Sequence, residues 1–270
     1  MIKIEHSEVV GWEHAIRGMR NPMNSWDKSD SRQTIEPSKE DIIVGKDFYE
    51  FFMFAIGTND QALMNNLSKL GTDHRKFMRM ITVYMDITAP LYWWKEFDTY
   101  KVGTVANSCS TMHKLMEKEF TLDDFSHEHL IDYNFNISSN ISNDQYFNYC
   151  GGLASLEETI GLLNYHRQTY LTVKELSVST IIKKIGFNRW NSISGADDEE
   201  KKENLAKRYW CMIIQLLPTS YNQKRTVMLN YEVLANIYKS RKNHKLDEWR
   251  IFCEELRKEL PYSSLFTKGE

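Results

Sequence analysis

Three groups of residues in this chain have the types and spacing to do chemistry. The first is a polar run, Thr104, Asn107, Ser108, Ser110 and His113, set directly after an aromatic stretch with Tyr92, Trp93, Trp94, Phe97 and Tyr100. A strand, a helix and then small polar groups is how many α/β sites are built, with the chemistry on the connecting loop. A buried aromatic helix followed by a solvated loop has the same composition. The second group is Arg17, Arg20, Asn21, Asn24, Ser25 and Trp26. Here the arginines suit phosphate and the tryptophan suits stacking, and a plain solvated loop is the alternative. The third is Asn230 and Arg241, eleven residues apart in a helical pattern and so nearly on one face. A surface arginine favoured by the helix dipole would look the same.

Other reactive residues point to less. Cys109, Cys150, Cys211 and Cys253 lie far apart with no CxxC pair, which excludes a zinc clip and a dense disulfide framework. They read as reduced thiols. Cys109 sits in the polar run, but no base is evident to activate it. His127 and His129 form a lone HxH with no third ligand at a sensible spacing, so no metal is expected.

The elements that must position these groups follow from periodicity. Ile81, Val83, Met85 and Ile87 alternate with Thr82, Tyr84, Asp86 and Thr88, which predicts a half-buried strand over Met80–Thr88. Pro90 suits the first position of a helix, which the residues predict over Leu91–Lys101, stopped by Gly103. Ile2–Val10 reads as a strand and Trp12–Met19 as a short helix. Ile43–Ala55 reads as buried and apolar. Helices are predicted over Asp60–Leu70, Thr111–Phe120, Asp144–Lys174 (interrupted near Gly151 and Gly152), Val178–Ile185 and Glu200–Leu217, then from Asn230 onward and over Leu246–Leu260. Asn188–Glu200 reads as a loop. The fold class expected is α/β of the α+β kind: a helix-rich single domain over 1–270 with a mainly antiparallel sheet.

Composition sets outer limits. The chain has 270 residues, 41% hydrophobic and 26% charged, ordinary for a soluble globular protein. A net charge of −3 gives no basic field for nucleic acid. No apolar run reaches the roughly 18 residues of a membrane span, and the first residues lack an apolar signal core. The expected address is cytoplasmic.

Taken together, these segments resemble the flavin-dependent thymidylate synthases across nearly the whole chain. That family's signature is Arg-His-Arg-x-x-Ser-x-Asn-Glu-x-Ser-x-Arg-Tyr, and FDTYKVGTVANSCSTMH stands in its place. Asn107 and Ser110 match its asparagine and second serine. Lys101 and Thr104 replace its last early arginine and first serine, with one residue inserted between the halves. Tyr100 stands for histidine, while Thr99, Ser108, Met112 and His113 replace the first arginine, the glutamate, the later arginine and the tyrosine. The C-terminal pattern matches at Leu217-Pro218, Tyr221, Asn230, Leu234, Asn236 and Arg241, followed by DEWRI.

The resemblance implies reductive methylation of dUMP at C5 to dTMP. FAD would be the cofactor, with NADPH and methylenetetrahydrofolate as co-substrates, and the assembly a homotetramer. It implies Arg241 as the catalytic residue holding the uracil ring. For the flavin it implies Asn230, Asn236, Tyr100, Lys101, Thr104 and Asn107; for the nucleotide, Glu96, Ser108, Ser110, His113, Arg241 and Arg20. Because most signature arginines are replaced, two alternatives stand beside it: a related enzyme modifying a pyrimidine nucleotide differently, for example by hydroxymethylation or on dCMP, and a non-catalytic nucleotide-binding protein on the same fold.

Overall fold

A computed structural model describes residues 2–36, 51–110, 115–130 and 152–267. Strands are β1 (Lys3–Val10), β2 (Arg32–Glu36), β3 (Phe51–Ala55), β4 (Thr82–Pro90), β5 (Val105–Ser108) and β6 (Asn222–Asn230). Helices are α1 (Trp12–Arg20), α2 (Thr58–Ser68), α3 (Leu91–Phe97), α4 (Gly152–Glu175), α5 (Val178–Ile185), α6 (Phe187–Asn191), α7 (Asp198–Leu216), α8 (Tyr231–Arg241), α9 (Asp247–Glu259) and α10 (Ser264–Thr267). The chain is helix-rich. A four-stranded sheet runs in the order β1-β4-β6-β5, and β2 and β3 form a separate pair. The β1–β4, β5–β6 and β2–β3 pairings are antiparallel.

The alternation that predicts β4 is what the strand uses. Ile81, Val83, Met85 and Ile87 are all 0–1% exposed, while Tyr84 on the other face is 40% exposed. Side chains of successive strand residues point to opposite faces, so one face meets the core. Gly11 joins β1 to α1 at φ 93, where a Cβ would lie 2.2 Å from the Met80 carbonyl oxygen. Only glycine fits both that conformation and that approach.

Contacts cluster in two compact units. The first is Ala89–Tyr92 with Cys109–Gln223. Here the first-turn amides of α3 are satisfied by backbone rather than by a side-chain cap: Leu91 N–H donates to the Tyr221 carbonyl and Tyr92 N–H to the Thr219 carbonyl, both at 3.0 Å. One apolar cluster joins Leu115, Phe120 and Phe125 to Leu156, Leu163 and Ile213. Asn164 holds Phe120 by its amide and its carbonyl, each at 2.8 Å. A second cluster packs Val173, Ile181, Trp190, Ile193 and Ala206. The helix expected over Thr111–Phe120 is absent from its described part, where Leu115–Glu117 is a turn. Of Asn188–Glu200, expected as a loop, the first residues close the short helix α6 and the last ones open α7.

The second unit holds Ile2–Thr88, Trp93–Ser108 and Lys224–Glu270. Its core is aromatic. Trp93 contacts Trp94, Phe97, Trp249 and Phe252 with ring centroids 4.5–5.2 Å apart, in stacked, tilted and edge geometries. Tyr231 is fully buried, donates its hydroxyl to the Pro261 carbonyl and meets Trp12 and Phe266 edge-on. Arg20 and Asp60 form a buried ion pair at 2.6 Å. Among the described residues no helix is long and apolar enough to cross a membrane.

Candidate functional site

Two segments distant in sequence meet at Arg241. It is the last residue of α8, where a cation is favoured by the helix dipole. Its Nη1 donates to Glu96 Oε2 at 2.7 Å and its Nε to the Tyr100 hydroxyl at 3.0 Å. The guanidinium carbon lies 4.9 Å from the Trp249 ring centroid and 5.7 Å from that of Tyr100. Glu96 Oε2 also accepts from Trp249 Nε1 at 3.0 Å and faces His244 Nε2 at 3.5 Å. His244 Nδ1 accepts from Leu246 N–H, which leaves the ring proton on Nε2, toward Glu96. Among the described residues Arg241 Nη2 and Glu96 Oε1 have no hydrogen-bond partner. The cluster therefore offers a donor and an acceptor side by side, backed by an indole. That arrangement suits a ring edge with a carbonyl next to an N–H.

The elements that build this cluster are local consequences of sequence. α8 starts at Asn230 because the Asn230 side chain accepts from Val233 N–H at 3.0 Å, an N-cap. Replacing Asn230 with Ala is expected to cost about 1 kcal/mol, read as a lower midpoint in urea with an unchanged slope. α3 ends at Phe97 rather than at the expected Lys101. Its last turns tighten to three-residue bonds, Thr99 N–H to the Glu96 carbonyl and Tyr100 N–H to the Phe97 carbonyl. The Thr99 hydroxyl adds a 2.7 Å bond to the same Glu96 carbonyl. This early ending carries Tyr100 back toward Arg241.

Beyond Tyr100 the chain turns at Gly103, φ 81, where an added Cβ would meet Asn230 Nδ2 at 3.0 Å and a Val233 methyl at 3.1 Å. The Thr104 hydroxyl beside this turn is buried and has no hydrogen-bond partner. A buried donor without a partner is costly, so a bound polar group here would remove a penalty. β5 then pairs Asn107 with Thr226 and Ser108 with Arg225. Lys101, Asn107 and Ser108 are exposed, and Lys101 is the only cation within 100–110. An orphaned hydroxyl, an adjacent amide and a glycine-made cradle fit the polar edge of a flavin. Lys101 fits its phosphates as a point charge, without a guanidinium's paired donors.

The remaining sequence candidates fall elsewhere. Asn236 is exposed on α8 and Ser110 is half-buried. His113 lies outside the described residues. Arg20 is spoken for: its Nε donates to Asp60 and its Nη1 to the Ser25 carbonyl. His127 Nδ1 contacts the Phe125 carbonyl at 2.9 Å, and no group of side chains suited to a metal exists among the described residues. Two members of the Arg241 cluster, His244 and Trp249, have no signal of their own in the sequence. His244 lies in the connection just after Arg241, and Trp249 in the first turn of the next helix.

No family model matches the chain, and no curated protein sequence matches it. Solved structures do. Thymidylate synthase X from Helicobacter pylori, determined with FAD and dUMP, superposes with a TM-score of 0.53 at 12% identity, covering 99% of this chain and 97% of that one. A second structure of the flavin-dependent enzyme from Helicobacter pylori, also with FAD and dUMP, gives 0.50 at 13% identity over 98% and 97%. A UMP/dUMP methylase, PolB from Streptomyces cacaoi, bound with 5-Br dUMP, gives 0.47 at 12% identity over 99% and 95%. The fold is thus that of the flavin-dependent thymidylate synthases over nearly the full chain. The helix-rich, mainly antiparallel architecture expected from the sequence is the one present.

Proposed function

We propose that this protein is an enzyme that modifies a pyrimidine nucleotide, with dUMP methylated at C5 as the specific reaction. The observation that supports it best is the meeting of Arg241 with Glu96 and Tyr100. These residues come from the two segments whose patterns resemble the thymidylate synthases, and here they share hydrogen bonds. In this reading Arg241 Nη2 donates to a uracil carbonyl and Glu96 Oε1 accepts the neighbouring N–H. Charge accumulates on that carbonyl when C5 becomes nucleophilic, and a fixed guanidinium stabilises it without reorganising. Trp249 gives the guanidinium a flat support, and Glu96 fixes its rotation. Thr104, Asn107, Asn230 and Lys101 would hold FAD, which when bound supplies the reducing equivalents drawn from NADPH. Methylenetetrahydrofolate would supply the carbon.

The test is a titration with FAD, with and without dUMP, followed by release of the C5 proton of dUMP when methylenetetrahydrofolate and NADPH are added. Weak flavin binding is expected. Lys101 and Thr99 stand where the resembling family has guanidinium groups, and each lost charge-assisted bond costs on the order of 1.5–3 kcal/mol, roughly one to two decades in affinity. The protein is expected to purify colourless, to take up added FAD, and to bind it more tightly with dUMP present. Absence of FAD binding at high concentration in both conditions would remove the flavin reading. Binding of both ligands with no C5 proton release would leave a nucleotide-binding protein.

A further inference from the structure

Arg17 and Arg20 on α1, and Trp26 on the segment that follows it, play no part in the site above. These side chains nevertheless line a cavity of about 340 Å³ between α1 and the paired strands β2 and β3, within one compact unit. That volume lies in the range of small-molecule sites, about 300–1,000 Å³.

Glu13, Ile16, Arg17 and Arg20 line it from one face of α1, at helical spacing, and Trp26 lies beside them; Arg32, Gln33 and Phe54 come from the paired strands. The charges divide into two kinds. Arg20 is consumed by Asp60, with side chains 5% and 0% exposed, and serves as wall. Arg17 and Arg32 remain available: Arg17 contacts only His14, at 3.1 Å, and Arg32 has no partner among the described residues. Trp26 is 51% exposed, yet its ring is held by a 2.8 Å bond from Nε1 to Asn21 Oδ1. A large exposed indole locked by its polar edge presents a face rather than a donor. Glu13 accepts a long 3.4 Å bond from Gln33 and keeps a carboxylate oxygen for a ligand N–H.

We propose that this cavity binds a nucleoside monophosphate. The phosphate lies between Arg17 and Arg32, the base stacks on Trp26, and Glu13 with Gln33 reads N–H donors on the base edge. Guanidinium pairs match phosphate oxygens, stacking on an aromatic ring tolerates any base, and a carboxylate selects a base rich in donors, guanine above all. The proposal is independent of the reading of Arg241.

The experiment is calorimetric titration of the full-length protein with GMP, guanosine and inorganic phosphate. It is run on wild type, Arg17→Gln/Arg32→Gln, Trp26→Ala and Arg241→Ala, with melting temperatures recorded for each. GMP is expected to bind wild type more tightly than either guanosine or phosphate. The double variant should weaken it by about tenfold or more, and Trp26→Ala by a similar factor. Arg241→Ala should leave it unchanged, and FAD and dUMP should not displace it. These side chains are exposed or half-exposed, so folding is expected to survive; should the double variant fail to fold, Trp26→Ala alone decides. No GMP binding at millimolar concentration would overturn the proposal. So would equal binding of phosphate alone, equal affinities in wild type and both cavity variants, or loss of binding in Arg241→Ala.

Discussion

Replacing Asp60 with Ala is expected to destabilise the protein by about 3–5 kcal/mol, because it strands a buried guanidinium. Asp60 is 0% exposed. One carboxylate oxygen accepts from Arg20 Nε. The other accepts from the hydroxyls of Ser29 and Ser31 and from the backbone amides of Asp30 and Ser31. At roughly 2–4 °C per kcal/mol for a chain of this order, the loss should appear as a melting temperature lower by about 10 °C. Asp60→Asn should fall between, keeping one acceptor but losing the charge. Burial pushes the Asp60 carboxyl up, yet the hydroxyls of Ser31 and Ser29 and the Arg20 guanidinium outweigh it, and the net displacement is downward. A depressed folded-state value means the contribution is fully present above the unfolded value, about 3.9. It is lost as pH falls through the folded value below that. Wild type should therefore lose part of its advantage over Asp60→Asn only in strong acid. Equal melting temperatures for the two at neutral pH would refute the account.

Arg241→Ala is expected to weaken nucleotide binding by on the order of 2 kcal/mol, about thirtyfold, since a desolvated carbonyl loses a charged partner. Its effect on the free protein should be smaller. The Glu96 pair is partly exposed, with side chains 19% and 36% accessible, and such pairs contribute about 0–1 kcal/mol. The contact with Trp249 adds about 0.5–1 kcal/mol. Arg241→Lys should recover the ion pair without the Tyr100 bond or the flat contact with Trp249, and so restore stability better than affinity. Affinities for dUMP and melting temperatures of the three proteins separate the roles. Equal affinities would show that Arg241 is a structural residue closing α8 onto Glu96.

Much of this architecture was legible from periodicity. β4 announces itself through Ile81, Val83, Met85 and Ile87, and α5 and α9 through their bounds. β6 carries a weaker signal, although Val227 and Leu229 alternate into the burial of a central strand. Its first half, Asn222–Arg225, is polar, and one buried glutamine, Gln223, breaks the apolar pattern. β5 read as a loop because all four residues are exposed, so no alternation marks it; only pairing with β6 makes it a strand. At the site, Arg241 and Asn230 stand out by spacing from a shared helix. The structure makes Asn230 a cap and Arg241 an ion-pair partner, relations that depend on Glu96 and Tyr100 from another part of the chain. Tertiary partners of this kind leave no periodic trace.

The distribution of indoles gives the molecule a built-in optical record of its own state. Of seven tryptophans, Trp93, Trp94, Trp190 and Trp249 are 0–1% exposed while Trp26 is 51% exposed. Emission from the folded chain should be dominated by rings shielded from water, with a minor red component from Trp26. A collisional quencher such as acrylamide would reach that minor component first. Trp249 lies under the Arg241 guanidinium and next to Trp93, so its light reports on the neighbourhood of Arg241, whereas the quenchable fraction reports on the cavity beside α1. One unlabelled protein thus carries two separable signals, a shielded one to which Trp249 contributes and a quenchable one from Trp26.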